Sequence, residues 1–276
     1  MAVALALAAA LVYGAADFLG GLASRRTAAA AVVVLSQVAG IVILGLAWLV
    51  LPGHFYAADV VFGVLAGVAG GIAIAALYAA LAVGRMGVVS PITAVVGASV
   101  PVIVGLGSGE RPTGAALAGL AAALVAVTLV SAGGDLRRFS IAERGVGLAL
   151  LSGLGIGALY VFLARGHPDA GLARLAVARL VSIVLLSAYV IARGESLRPA
   201  PGSLRLILVA GALDMSANVL YVFSTRYGLL AIVAVITSLY PASTVFLARI
   251  VLRERLTAVQ WVGLAFAAGG VALIAR

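Results

Sequence analysis

Three ionisable residues lie in the middle of long apolar stretches of the sequence: Asp17, Arg179 and Asp214. A charged side chain at the centre of a bilayer costs about 2.5 to 3.5 kcal/mol on insertion scales, so each one needs a partner, water or a functional role. A buried carboxylate can carry a proton or bind a cation. Two interpretations stay open for Arg179 and Asp214, a neutral structural pair or part of a polar cavity, and the nearby amide of Asn218 favours the cavity for Asp214.

Polar side chains recur at helical spacing around these charges. Asn218, Tyr221 and Thr225 follow Asp214 at i+4, i+7 and i+11, which places all four on one face of a helix. Such a face fits poorly against lipid, so we expect it to line a cavity, whereas single hydroxyls are expected to bond backbone carbonyls. No catalytic residue is assigned. The candidates for binding a substrate or ion are Tyr13, Asp17, Gln37, Arg179, Asp214, Asn218, Tyr221, Thr237 and Tyr240.

The elements that must position these side chains are membrane-spanning helices. Hydrophobic residues make up 64% of the chain and charged residues 10%, whereas about a quarter of the residues in an ordinary soluble domain are charged. The apolar runs lack the polar alternation of barrel strands and reach the length of about 20 residues that a helix needs to cross a bilayer. We therefore predict an all-α integral membrane protein with ten transmembrane helices. The runs are approximately 2–23, 29–51, 60–83, 88–107, 113–132, 145–164, 172–192, 204–225, 229–251 and 257–274.

Composition also limits the function. All 18 basic residues are arginine, and most flank apolar runs, where anionic lipid headgroups attract them, so nucleic acid is not an expected partner. The chain has no cysteine, which excludes disulfides and cysteine-based metal sites. The two histidines, His54 and His167, lie in connections, and neither an HExxH motif nor a GxxxxGK nucleotide-binding loop occurs. We expect no enzyme activity, no metal site and no cofactor.

The two halves of the sequence carry the same residues in the same order, which indicates an internal duplication. We predict one repeat over residues 1–134, a connection over 135–144 and a second repeat over 145–276. Each repeat has five helices, an odd number, so two fused repeats must insert in opposite orientations. The first half has Tyr78, Arg85, Gly87, Pro101 and Glu110-Arg111 where the second half has Tyr221, Arg226, Gly228, Pro241 and Glu254-Arg255.

Prolines stand inside the fourth and ninth apolar runs. Pro91 and Pro101 lie in the fourth run, and Pro241 lies in the ninth, the corresponding position of the second repeat. Each removes a backbone hydrogen bond and disfavours helical geometry at the residue before it, so we expect kinks there. Two interpretations stay open: the kink exposes backbone groups to a binding site, or it is purely structural.

Glycines at four-residue spacing mark a packing surface in the third run. Gly63, Gly67 and Gly71 fall on one face of the predicted helix. Lipid offers no hydrophobic drive for association between helices, so small residues act mainly by letting backbones approach closely. We expect this face to contact another helix.

The sequence resembles the EamA branch of the drug/metabolite transporter superfamily, a ten-helix, two-repeat family. The resemblance spans the whole chain and is carried by Tyr13-Gly14 before Asp17-Phe18, by Pro101 before 109–111, and by Pro241 before 253–256. It implies a secondary transporter in the cytoplasmic membrane that exports small metabolites, amino acids or drug-like compounds. The implied partners are the lipid bilayer, a small-molecule substrate and a coupling ion such as the proton. A membrane channel, or a scaffold that binds other proteins through its glycine faces, is the alternative.

The arginine distribution predicts an orientation. The odd-numbered connections carry most of the arginines, among them Arg25, Arg26, Arg137 and Arg138. Because basic connections stay in the cytoplasm, this count puts both termini outside. The resemblance implies cytoplasmic termini instead.

Overall fold

The chain folds into α-helices. The computed structural model describes residues 1–83, 86–132, 145–251 and 257–274, and within these ranges there is no β-strand. A single turn of 3-10 helix, Pro168–Ala170, precedes the seventh helix. The helices are α1 (Ala2–Ser24), α2 (Ala29–Val50), α3 (Ala57–Val83), α4 (Met86–Gly107), α5 (Gly114–Ala132), α6 (Val146–Ala164), α7 (Ala173–Ala192), α8 (Leu204–Ser224), α9 (Leu230–Thr237), α10 (Tyr240–Val251) and α11 (Ala258–Ile274).

Each predicted apolar run forms helix, and the ninth run is divided between α9 and α10. In the described part of the chain, six helices are long and apolar enough to cross a membrane: α1, α2, α3, α6, α7 and α8. Four further apolar segments are shorter: Ile92–Gly107, Gly114–Val130, Leu230–Thr244 and Ala258–Ile274. The prediction of an all-helical membrane protein is confirmed, and the count of ten crossings stays a prediction.

Helix α7 exposes large apolar side chains and buries polar ones. On α7, Leu180 and Val184 are 58% and 67% exposed, while Arg179 and Ser182 are 8% and 5% exposed. Because lipid tails are as apolar as leucine, large aliphatic side chains lose little by facing outward, and the polar groups must find partners within the protein. The helix faces are therefore sorted by polarity and size, with the polar groups inward.

The two halves of the chain interlock. The most extensive helix pairings run between the first five helices and the last six: α1 with α8, α3 with α6 and α7, α4 with α6, α2 with α8, and α5 with α11. Pairings within one half are smaller. Each half therefore buries its helix faces mainly against the other.

Close packing of α3 on α7 depends on the predicted glycine face. A Cβ added at Gly63 would lie 2.6 Å from the Val177 Cβ, and one added at Gly67 would lie 2.5 Å from the Ala178 carbonyl oxygen. A Cβ at Gly71 would meet Ser182 and Leu185 at 3.4 Å, an ordinary contact distance. Glycine is thus required at the first two positions.

Glu110, one of the repeated motif residues, caps a helix of the other half. Its two carboxylate oxygens accept hydrogen bonds from the backbone N–H groups of Leu230 at 2.7 Å and Ala231 at 3.0 Å. These are first-turn N–H groups of α9, which have no partner within that helix. A carboxylate at a helix N-terminus is also favoured by the helix dipole. The turn after α4 is therefore fixed to the start of α9.

We expect Gly63→Ala to lower the free energy of unfolding by about 1 to 3 kcal/mol, because the new methyl group would force α3 away from α7. The measurement is thermal unfolding of purified protein in detergent. Gly45→Ala is the matched control, since Gly45 lies in α2 with nothing within 4 Å of its added Cβ. Equal melting temperatures for the two variants would contradict the packing argument.

Candidate functional site

A polar cavity lies inside the bundle. Its empty volume is about 700 Å³, part of which is open to the outside. Helices of both halves line it: α1, α2 and α3 from the first and α6, α7, α8 and α10 from the second. The polar residues at its wall are Tyr13, Asp17, Gln37, Tyr160, Arg179, Ser182, Asp214, Asn218 and Tyr240.

An ion pair joins α7 to α8 at the cavity wall. The Arg179 Nη2 donates to the Asp214 Oδ2 at 2.7 Å, and the two side chains are 8% and 32% exposed. One turn along α8, the Asn218 amide donates to the Asp214 backbone carbonyl at 2.8 Å. The two side chains neutralise each other at a depth where an isolated charge would be costly.

A second set of bonds joins α2 to this pair. The Ser182 hydroxyl lies 2.6 Å from the Gln37 Oε1 and 3.1 Å from the Arg179 backbone carbonyl. Gln37 and Ser182 are both buried. The amide nitrogen of Gln37 thereby stays available to a ligand, because the bond from Ser182 uses only its oxygen.

Aromatic rings form one side of the cavity. The Tyr160 ring stacks on the Tyr221 ring with 4.4 Å between centroids, and Tyr13 lies 6.4 Å from Tyr160. The Tyr221 hydroxyl donates to the Tyr160 backbone carbonyl at 3.0 Å. Tyr221 is fully buried behind Tyr160 and does not line the cavity. Its role is to support the ring that does.

Asp17 lines the cavity without a fixed partner. No ion pair or side-chain hydrogen bond joins it to any residue in the described part of the chain. Tyr13 lies one turn away on α1, and its hydroxyl is buried and also lacks a partner among the described residues. Counting Asp17, Asp214 and Arg179, the described charges at the cavity wall sum to one negative charge.

The ninth apolar run is broken at the cavity. Helix α9 ends at Thr237 and α10 begins at Tyr240, directly before Pro241. Proline has no N–H to continue the helical ladder, and Tyr240 at the break lines the cavity. Thr237 is buried away from the cavity, and its hydroxyl has no partner among the described residues. Pro91 and Pro101 lie within α4, which is continuous over its described length.

A polar cluster at one end of the bundle contains a buried ion pair between Asp59 and Arg174. The Arg174 Nη1 donates to the Asp59 Oδ1 at 2.7 Å, and the His167 backbone N–H donates to the same oxygen at 3.1 Å. We call Asp59, His167 and Arg174 the latch. Gly166 adopts φ +108°, and a Cβ there would collide with Asp59 and Arg174.

The latch joins the first turn of α3 to the first turn of α7 and to the connection between α6 and α7. Arg174 directly precedes Leu175, which lines the cavity. The Asp59 Oδ2 and the Arg174 Nε are buried without a hydrogen-bond partner in the described chain. An ion pair with unsatisfied atoms is less stabilising than a fully bonded one.

A smaller cavity extends away from the latch. It has an empty volume of about 380 Å³ and shares Asp17, Gln37, Arg179 and Asp214 with the first cavity. It also reaches Val33 and Ala210, near the ends of α2 and α8 opposite to the latch. The ion pair and Asp17 therefore lie between the latched face and the opposite one.

The structure brings together most of the predicted site residues. Seven of the nine candidates line the larger cavity, and Tyr221 and Thr237 lie behind it. Tyr160 and Ser182 are the other polar residues at the wall. Tyr160 was not predicted as a site residue. Its position inside an apolar run is the same signal that made Tyr13 a candidate. Arg85, residues 253–256 and the predicted connection 135–144 lie outside the described residues.

Comparisons with known proteins agree with this architecture. Residues 143–276 match the model of the EamA-like transporter family. A solved crystal structure superposes on the chain with a TM-score of 0.71 and 18% sequence identity, covering 99% of this chain and 98% of that one. At this identity the likeness concerns the fold alone. No curated protein matches the sequence.

The chain is thus a multi-pass membrane protein. The match of residues 143–276 to the EamA-like transporter family bears out the resemblance to EamA-type proteins of the drug/metabolite transporter superfamily.

Breaking the Arg179–Asp214 pair should destabilise the protein. We expect Arg179→Gln and Asp214→Asn each to lower the free energy of unfolding by about 1 to 3 kcal/mol, less than for a fully dry pair because Asp214 faces the cavity. The double variant should lose less unfolding free energy than the sum of the losses in the two single variants, because both substitutions remove the same ion pair. Thermal unfolding in detergent measures this, with Arg193→Gln, at the exposed end of α7, as control. Strict additivity would exclude a coupling between the two residues.

Proposed function

We propose that the chain is a secondary transporter of the cytoplasmic membrane that exports a small metabolite, an amino acid or a drug-like compound by alternating access. The observation that carries the proposal is the polar cavity with an unpartnered carboxylate, Asp17, inside an apolar bundle. Both halves of the chain contribute to its wall. The match of residues 143–276 to the EamA-like transporter family supports the same conclusion.

Two inverted repeats of five helices, residues 1–134 and 145–276, are part of the proposal. The helix contacts support this. When each helix of one half is exchanged for the corresponding helix of the other half, one observed helix pairing becomes another observed pairing. The α1–α8 contact corresponds to α6–α3, α2–α8 to α7–α3, and α1–α10 to α6–α4. Inverted repeats give a transporter two states of similar energy, one opening to each side of the membrane.

In the alternating-access cycle, the latch holds one face shut. The cavity reaches toward the face opposite the latch, so the present arrangement fits the state that opens there. The other state requires Asp59 and Arg174 to part and α3 to separate from α7 near that face. The unsatisfied atoms of the latch lower the cost of this step.

Transport is tested with purified protein in liposomes, screened for uptake and counterflow against a panel of metabolites, with and without a proton gradient. Saturable counterflow is expected of a carrier. Flux that does not saturate and shows no counterflow would favour a channel, and no flux of any compound would favour a scaffold.

We propose that protons drive the cycle through Asp17, because Asp214 is bonded to Arg179 while Asp17 has no basic partner in the described chain. We expect Asp17→Asn to abolish the dependence of the remaining flux on a proton gradient. Asp214→Asn should reduce flux without removing the gradient dependence. Full gradient dependence in Asp17→Asn protein of normal stability would rule out this carboxylate as the proton carrier.

Fixing the latch closed should stop the cycle. The chain has no cysteine of its own, and the His54 backbone N–H bonds the Asp169 carbonyl at 3.4 Å beside the latch. We expect a short bis-methanethiosulfonate cross-linker, which attaches to each cysteine through a disulfide, to abolish transport in a His54→Cys, Asp169→Cys variant, and a thiol reductant, which cleaves those disulfides, to restore it. Each single cysteine variant should be insensitive to the reagent. Undiminished transport in fully cross-linked protein would show that this face need not open.

A further inference from the structure

The cavity wall selects a ligand by charge. On the basis of the proposed transport function, we propose that the substrate is a monovalent organic cation, an amine with an apolar or aromatic body, whose ammonium group binds Asp17 and the Tyr13 hydroxyl. The side chains that lead to this chemistry are a free carboxylate, a free hydroxyl, aromatic rings and an apolar wall.

Charge balance favours a cation. The one described positive charge at the wall, Arg179, is bonded to Asp214 at 2.7 Å, which leaves Asp17 as the charge without a partner. An uncompensated carboxylate at membrane depth is stabilised when a cation binds it. An anion would instead have to displace Asp214 from Arg179 and would then face two carboxylates.

The Tyr13 hydroxyl adds a second polar contact. Tyr13 is 9% exposed, lines the cavity and has its hydroxyl buried without a partner in the described chain. Tyr13 and Asp17 stand one helical turn apart on the same face of α1, where side chains four residues apart are neighbours. A primary ammonium group has several N–H donors and can bond both oxygens at once, which satisfies both groups.

The rings and the apolar wall complement the body of an amine rather than an inorganic ion. Tyr13, Tyr160 and Tyr240 provide aromatic rings, whose faces attract organic cations. Ile74, Leu77 and Leu159 supply aliphatic surface at the cavity wall. Divalent metals require several oxygen or nitrogen ligands, and no group of three or more His, Cys, Asp or Glu residues occurs among the described residues.

The test is ligand binding to the purified full-length protein in detergent at a pH where the amine is protonated. The probes share a phenylethyl body: phenethylammonium, its trimethylated quaternary analogue, the zwitterion phenylalanine and the anion 3-phenylpropionate. We expect both cations to bind and the anion not to bind. Asp17→Asn should weaken both cations about tenfold or more, and Glu195→Gln, which removes an exposed carboxylate outside the cavity, should change neither.

Tyr13→Phe separates a binding role of the hydroxyl from a structural one. It should weaken phenethylammonium severalfold and leave the quaternary analogue unchanged, because only the primary ammonium can donate to the hydroxyl oxygen. A variant that was merely misfolded would lose both ligands together, and its lower melting temperature would reveal this.

The same probes added to the liposome panel separate this inference from the proposed function. If a zwitterion or an anion shows saturable counterflow while neither amine binds, the transporter assignment stands and the cation inference is wrong. Tighter binding of 3-phenylpropionate than of phenethylammonium would also overturn it. If no compound in the panel is transported but the amines bind with the expected dependence on Asp17, the cation site stands and the transport function fails.

Discussion

The ion pair between Arg179 and Asp214 is the interaction on which the rest of the cavity depends. An isolated charge inside a membrane is costly, and this pair links the side chains of α7 and α8, which otherwise pack mainly on other helices, at the wall of the cavity. Ser182 and Gln37 attach α2 to the same point. Because Asp214 compensates the arginine, the free charge of the cavity is that of Asp17 on α1. One contact therefore fixes both the geometry of the wall and its net charge.

Around this pair, the packing of the bundle is governed by size rather than by hydrophobicity. Apolar side chains gain nothing by leaving lipid for another helix, so association depends on close approach and on internal polar bonds. Gly63 and Gly67 allow α3 to lie against α7, and Gly119 meets Gly270 where α5 crosses α11. The same closeness brings Leu175 and Ser182 of α7 to the cavity. The small residues thus shape the site indirectly by setting the distance between helices.

The sequence predicted the helices well and the site in part. Helix bounds agree with the apolar runs to within a few residues, because the thickness of a bilayer sets both the length of a span and the position of polar residues at its ends. Helical spacing grouped Asp214 with Asn218 correctly, but it could not tell that Tyr221, three residues further on, turns behind Tyr160. That distinction depends on which helix lies opposite. The latch was not predicted either, since Asp59 and Arg174 lie far apart in sequence and each stands near a helix end, where a charge requires no explanation.

The cap that Glu110 places on α9 makes the two halves of the chain depend on each other. A carboxylate of the first half completes a helix of the second, and the largest helix pairings also cross between halves. The protein is therefore built like a heterodimer whose subunits are joined by a peptide connection. Because the two halves are fused, their association in the membrane is intramolecular rather than bimolecular. The effective concentration of one half around the other is set by the connection between them, not by the expression level. Neither half ever has to find its partner among the other proteins of the bilayer.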